Sequence, residues 1–122
     1  MSENLYPPVT RNLVDARRAL APDVEDAFRA FSDNVFKEGA LPAKTKQLIA
    51  VAVGHVTQCP YCIKAHTRAA RRLGATPEEI MEAIWVAAEM RAGGALAHSL
   101  IAVQTMDCDS PDGETTDASR ST

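Results

Sequence analysis

The segment from about Ala43 to Thr57, which contains KTKQLIAVAVGHVT, constrains the fold more than any other part of this chain. Its first turn is polar and the remainder is apolar on nearly every side. As a helix it must therefore be buried all round, by its own domain or by another subunit. The β-branched residues also suit a strand, but the length of the run and the lack of turn signals before Gln58 favour a helix. The rest of the chain has to wrap this segment.

Helix punctuation on either side shows how. Residues 1–11 read as an arm, because Pro7 and Pro8 disfavour helix, and Tyr6 is available to pack against a neighbour. Asn12 can cap a short helix running to about Ala21, and Pro22 suits the first position of a second. In that second helix Val24, Ala27, Phe28, Phe31 and Val35 recur at steps of three and four, and Gly39 ends it. Cys59 can occupy a cap position with Pro60 first in the helix behind it, and Ile63, Ala65, Ala69, Ala70 and Leu73 continue that helix to Gly74. Thr76-Pro77-Glu78-Glu79 is a full capping box. It opens a helix to about Met90, which Gly93-Gly94 kinks or breaks before a last helix from Ala95 to about Met106.

Aromatic residues make up only 5% of the 122 residues, which favours closely spaced helices over a sheet-built core. The expectation is an all-α fold, a bundle of about six helices in a single domain over residues 1–106. Residues 107–122 hold Asp107, Asp109, Asp112, Glu114 and Asp117 against Arg120 and read as a disordered acidic tail. The apolar content of the last three long helices exceeds what so small a monomer can hide, so the chain is expected to form a homo-oligomer through those helices.

Composition also removes function classes. Formal net charge is -3, and outside the tail the chain is close to neutral, so neither a nucleic-acid footprint nor a polybasic membrane patch is present. The first residues lack the pattern of a secretion signal, and no apolar run approaches the roughly 20 residues that span a bilayer. A soluble cytoplasmic protein is expected, with no nucleic-acid or membrane partner. Three cysteines, two of them in a CxxC pair, then fit a chemical site plus one bystander, Cys108.

The site is Gln58-Cys59-Pro60-Tyr61-Cys62-Ile63-Lys64-Ala65-His66. Orphan N–H groups and the positive end of a helix dipole stabilise a thiolate, the reactive form of cysteine. The CxxC spacing brings both sulfurs to one turn, and Cys62 and His66, four apart, sit one above the other. Proximity to the imidazole favours Cys62 as the attacking thiol and Cys59 as the resolving one, whereas cap geometry alone favours Cys59 as the more acidic sulfur. His55, Cys59, Cys62 and His66 are also a zinc-like donor set. On one helix they spread over roughly 16 Å of axis, too far to converge on one ion, so neither metal nor cofactor is expected. His98 lies among Leu96, Leu100 and Ile101 and reads as a packed, hydrogen-bonded histidine.

Lys44-Thr45-Lys46-Gln47-Leu48-Ile49, the CPYCIKAH segment to Gly74, Thr76-Pro77-Glu78-Glu79, and Met90 with Gly93-Gly94 together resemble the carboxymuconolactone decarboxylase family, in its alkyl hydroperoxide reductase D-like branch, over about residues 20–105. The CxxCxxxH core is specific to that branch; the decarboxylases that name the family lack the cysteine pair. The resemblance implies an all-helical fold, assembly as trimers or hexamers, and peroxidase or disulfide reductase activity. The substrate would be a hydroperoxide or disulfide, with a dithiol or dihydrolipoyl-type reductant. The resemblance maps the attacking and resolving cysteines onto Cys62 and Cys59 and the proton-relay histidine onto His66.

The family's relay glutamate, about twelve residues before the first cysteine, falls on Gln47, which can hydrogen-bond to an imidazole but cannot hold a proton as a carboxylate does. Either Glu38, Glu82 or Glu89 substitutes, or His66 works alone and slowly; His55, four before Cys59, is a second candidate for the relay. Two other classes compete: a helical scaffold that binds a small molecule or senses redox state, and cysteine-independent lactone decarboxylation.

Overall fold

Each strong start signal in the sequence opens a helix. The computed structural model describes residues 5–109, and among these there are five helices and no strand. They are α1 (Arg11–Leu20), α2 (Pro22–Phe36), α3 (Ala43–Thr57), α4 (Pro60–Arg72) and α5 (Pro77–Cys108). Pro22, Pro60 and Pro77 occupy first-turn positions, where a missing N–H costs nothing. Thr76 closes its capping box reciprocally: its hydroxyl accepts from Glu79 N–H at 3.1 Å, and Glu79 Oε1 accepts from Thr76 N–H at 2.9 Å.

Three expectations need correction. The cap of α1 is Thr10, whose Oγ1 accepts from Leu13 N–H at 3.3 Å, so Asn12 lies inside the helix. Helix α2 stops at Phe36, before Gly39, with Lys37 extended behind it. Gly93-Gly94 neither kinks α5 into two nor ends it, and the last two expected helices are one of 32 residues, about 48 Å long. Each glycine costs about 1 kcal/mol relative to alanine. That is too little to interrupt a helix already nucleated by a capping box and continued by Ala92, Ala95 and Ala97. Asp107 and Cys108 therefore belong to α5 rather than to a tail, and residues 110–122 lie outside those described.

Helix α3 is the centre and packs along both α4 and α5, but it is not buried all round within one chain: only Val51 and Gly54 are buried, and Ile49, Val53 and Val56 stay exposed on the side these two helices do not cover. Val51, Ala70, Ala75 and Ile80 form the buried cluster, flanked by Leu48 and Ile84. The first turns of α3 and α5 are joined by Lys44 and Glu79 at 3.1 Å, and Arg91 of α5 donates to the Val56 carbonyl at the far end of α3. The hairpin of α1 and α2 lies outside this wedge and touches it mainly through α2 and α3. The arm before α1 folds back onto α4: Tyr61 Oη donates to the Pro7 carbonyl at 2.9 Å, and the Tyr6 and Tyr61 rings meet edge to face. Large apolar side chains of α5 stay exposed, among them Trp85 (67%), Leu96 (75%) and Leu100 (71%).

Candidate active site

The turn from α3 into α4 builds the dithiol. Gln58 caps the end of α3 in the left-handed region (φ 56°), and Cys59 N–H returns to the Gly54 carbonyl at 3.0 Å, so only Gln58 and Cys59 separate α3 from α4. The helices can approach this closely because residue 54 is glycine: a Cβ there would lie 3.2 Å from Cys62 Cβ. Cys59 is the cap of α4, its sulfur accepting from Cys62 N–H at 3.3 Å. All three cysteines of the chain are free thiols.

The two sulfurs are inequivalent. Cys59 is pushed down from the usual thiol range, first by the hydrogen bond from the Cys62 thiol and then by the N–H groups of Cys62 and Tyr61. Cys62 is pushed up by the same shared proton, by burial, and by the charge on Cys59. Of the pair, Cys59 is therefore the more acidic thiol and Cys62 the one that holds its proton more tightly.

Cys62 and His66 open together onto an apolar cavity of about 450 Å³, walled by Val35 and Phe36 of α2 and by Ile49 and Val53 of α3. Cys59 does not line it. The imidazole is held on two sides. Its Nδ1 is 2.7 Å from Gln47 Oε1, an oxygen that can only accept, so Nδ1 carries the hydrogen and Nε2 keeps its lone pair. Its face stacks on Phe36 with centroids 5.1 Å apart and planes at 26°. Burial pushes His66 below the usual imidazole range and keeps it neutral near pH 7.

Comparison with known proteins agrees with this architecture. The family model described as "Carboxymuconolactone decarboxylase family" matches residues 22–105. The chain belongs to the carboxymuconolactone decarboxylase family. A Paracoccus denitrificans protein described as "uncharacterized protein 4 in cox locus" is 56% identical over 107 residues, covering 88% of this chain and 96% of that relative. Among solved structures, the apo form of a carboxymuconolactone decarboxylase family protein from Legionella pneumophila is 33% identical, with a TM-score of 0.63 over 76% of this chain and 83% of that one. A structural-genomics target from Methanobacterium thermoautotrophicum is 35% identical, with a TM-score of 0.65 over 68% of this chain and 93% of that one.

Within this carboxymuconolactone decarboxylase fold the other candidates are dispersed. Gln47, at the position where the resemblance implies a glutamate, is the residue bonded to His66. Glu38 instead accepts from Ala43 N–H at 3.1 Å and caps α3, while Glu82 and Glu89 are exposed on α5. His55 turns onto its own helix, with Nδ1 2.8 Å from the Val51 carbonyl. Among the described residues no three His, Cys, Asp or Glu side chains gather where one metal ion could bind, so the set of His55, Cys59, Cys62 and His66 does not converge. No described helix is long and apolar enough to cross a membrane. Cys108 is half-buried on the last turn of α5. His98 is bonded to the Gly94 carbonyl at 2.7 Å but is exposed rather than packed.

Two residues at the site escape sequence reasoning. Phe36 lies just off the periodic face of α2, and Lys46 reads as one more polar residue in the first turn of α3. Lys46 Nζ in fact reaches the Val35 carbonyl at 2.8 Å and the Lys37 carbonyl at 2.7 Å.

Proposed function

We propose that this chain is a thiol-dependent oxidoreductase that reduces hydroperoxides, or disulfides, with Cys62 attacking, Cys59 resolving and His66 moving the proton. The observation that carries this reading is the single apolar cavity shared by Cys62 and His66, with Cys59 outside it on the same helical turn.

A hydroperoxide in the cavity meets Cys62. His66 Nε2 takes the Cys62 thiol proton as the sulfur attacks the distal oxygen; the O–O bond breaks, and the departing alkoxide takes that proton and leaves as an alcohol. Cys62 is then a sulfenic acid. The Cys59 thiolate, its proton given to solvent, attacks the Cys62 sulfur; the S–O bond breaks, and hydroxide takes a proton from solvent to leave as water. An external dithiol returns two electrons by thiol–disulfide exchange. Its thiolate attacks Cys62, the sulfur at the cavity, and expels Cys59, whose lowered pKa makes it the better leaving group; the second thiol of the reductant then attacks the mixed disulfide, closes its own disulfide and releases Cys62, which takes up a proton.

Gln47 fixes the tautomer that leaves Nε2 free but supplies no negative charge to stabilise an imidazolium. This supports a slower reaction than a carboxylate partner would give. The exposed apolar residues of α5 support assembly with further copies of the chain. A reducing compartment such as the cytoplasm suits a site that rests as a dithiol.

The test is consumption of an organic hydroperoxide, such as cumene hydroperoxide, with dihydrolipoate or dithiothreitol as reductant. Cys62→Ser should abolish turnover, and His66→Gln should lower it by about 100-fold. Equal inertness of wild type and Cys62→Ser across several hydroperoxides would overturn the proposal. So would turnover of a lactone substrate that survives loss of both cysteines.

A further inference from the structure

The imidazole at the cavity is held on its edge by Gln47 of α3 and on its face by Phe36 of α2. Lys46 does not touch it, yet its ammonium donates to the carbonyls of Val35 and Lys37, the residues on either side of Phe36. Both carbonyls lie at the C-terminal end of α2, where the last C=O groups of a helix lack intrahelical partners and where a cation is favoured by the dipole. Consecutive residues of a helix point about 100° apart. Lys46 and Gln47 therefore reach different helices, one toward α2 and the other toward α4. Phe36, fixed between the two gripped carbonyls, stacks on the His66 ring.

We propose that Lys46 is a positioning residue for His66: by gripping the backbone on both sides of Phe36 it keeps that ring stacked on the imidazole and keeps water off its face. The hairpin of α1 and α2 buries no residue fully, and besides the Lys46 grip the chain just after α2 is tied to α3 by the bond from Ala43 N–H to Glu38 at 3.1 Å. The lowered affinity of His66 for a proton, which comes from burial, fits a ring kept dry on that side. The titratable groups around His66 are few. Lys46 from α3 and Cys62 from α4 line the cavity with it, and Cys59 lies one turn before Cys62. The part this plays in thiol chemistry rests on the function proposed above; the position and titration of the ring do not.

Histidine ring resonances of the reduced full chain, followed against pH by NMR, provide the test. Stacking on Phe36 shields the His66 ring protons, so Phe36→Leu should move them downfield and raise the titration midpoint. Lys46→Met should reproduce both changes, and the double variant should add nothing further, since Lys46 acts through Phe36. Lys46→Arg, which keeps the cation and donors, should restore much of the wild-type spectrum. Three outcomes overturn the proposal. In the first, Lys46→Met lowers the melting temperature but leaves both the ring protons and the midpoint unchanged, as a mere helix cap would. In the second, the midpoint moves with no change in ring shielding, which is the effect of a lost charge alone. In the third, Lys46→Met and Phe36→Leu are additive. A positive result in a protein that proves inert toward hydroperoxides would leave this inference standing and remove the proposed function.

Discussion

The two halves of the chain are held by different forces. Where α3, α4 and α5 meet, Val51 (0% exposed), Ala70, Ala75 and Ile80 are buried, and small residues let the helix axes approach. In the hairpin of α1 and α2 no side chain is buried, and the two helices are joined by charge. Arg17 Nε donates to Glu25 Oε1 at 2.8 Å, and Arg18 makes a two-pronged bond to Asp26 at 2.9 and 2.6 Å. The candidate site sits on the seam. Its thiols and imidazole belong to the packed half, while Val35 and Phe36, one wall of the cavity, belong to the charged half. The thiols and the imidazole are thus fixed on the packed elements, and the cavity wall supplied by α2 is the more yielding one.

The largest effect should come from breaking the packed half at its closest approach. A Cβ on residue 54 would lie 3.2 Å from Cys62 Cβ and 3.5 Å from the Ile63 backbone nitrogen, so a branched side chain must push α4 away from α3. Gly54→Val should cost about 1–3 kcal/mol, read from chemical denaturation. It should also change the alkylation rates of Cys59 and Cys62, because the turn carrying both moves. Stability and thiol reactivity equal to wild type would show that the junction is not the rigid element described.

A smaller effect sharpens the comparison at the seam. Burial lowers the His66 pKa below its ordinary value of 6.5, so as pH falls the unfolded chain takes up the proton before the native one does. The stability this contributes is complete above the ordinary value and is lost as the pH falls through the lower native value. Thermal melts across about pH 5 to 7.5 should fall on the acid side in wild type, and that component should vanish in His66→Gln. By the same logic the neutral, base-competent imidazole persists to lower pH than a free one. Superimposable pH dependences for the two proteins would mean that the ring is not sheltered at the seam.

Legibility in the sequence follows the same division. The starts of α2, α4 and α5 could be read because Pro22, Cys59-Pro60 and the Thr76 box are local signals whose meaning does not depend on distant residues. The central place of α3 was readable from its own composition, but its expected all-round burial is not met within one chain, where Ile49, Val53 and Val56 stay exposed. The juxtaposition of Cys62 and His66 follows from helical spacing, whereas the direction of the shared proton between Cys59 and Cys62 depends on cap geometry that spacing leaves open. Gly93-Gly94 misleads as a helix breaker because a local cost of about 1 kcal/mol per residue is small against a cooperative helix. Thr10 and Asn12 are comparable capping residues, so composition could not choose between them. The grip of Lys46 on Val35 and Lys37 spans eleven and nine residues of chain and follows no helical period, so only the packing of α2 on α3 reveals it.

The smallest effect should come from the charged half itself. Arg18 and Asp26 are both about half exposed, at 47% and 52% of their side-chain surface, and their mutual hydrogen bond raises the pKa of the arginine and lowers that of the aspartate. Such a pair is screened by water and salt and must immobilise two side chains to form. Arg18→Met should therefore leave the melting temperature almost unchanged, and added salt should erase whatever difference remains. Arg17→Met should cost more, because its partner Glu25 is only 13% exposed and would be left sheltered without its cation. If Arg18→Met proves the more damaging of the two, the exposed pair outweighs the sheltered one; if its effect survives high salt, that effect is not one of screened charge. The contrast with the packed half would then have to rest on the size of the buried surface alone.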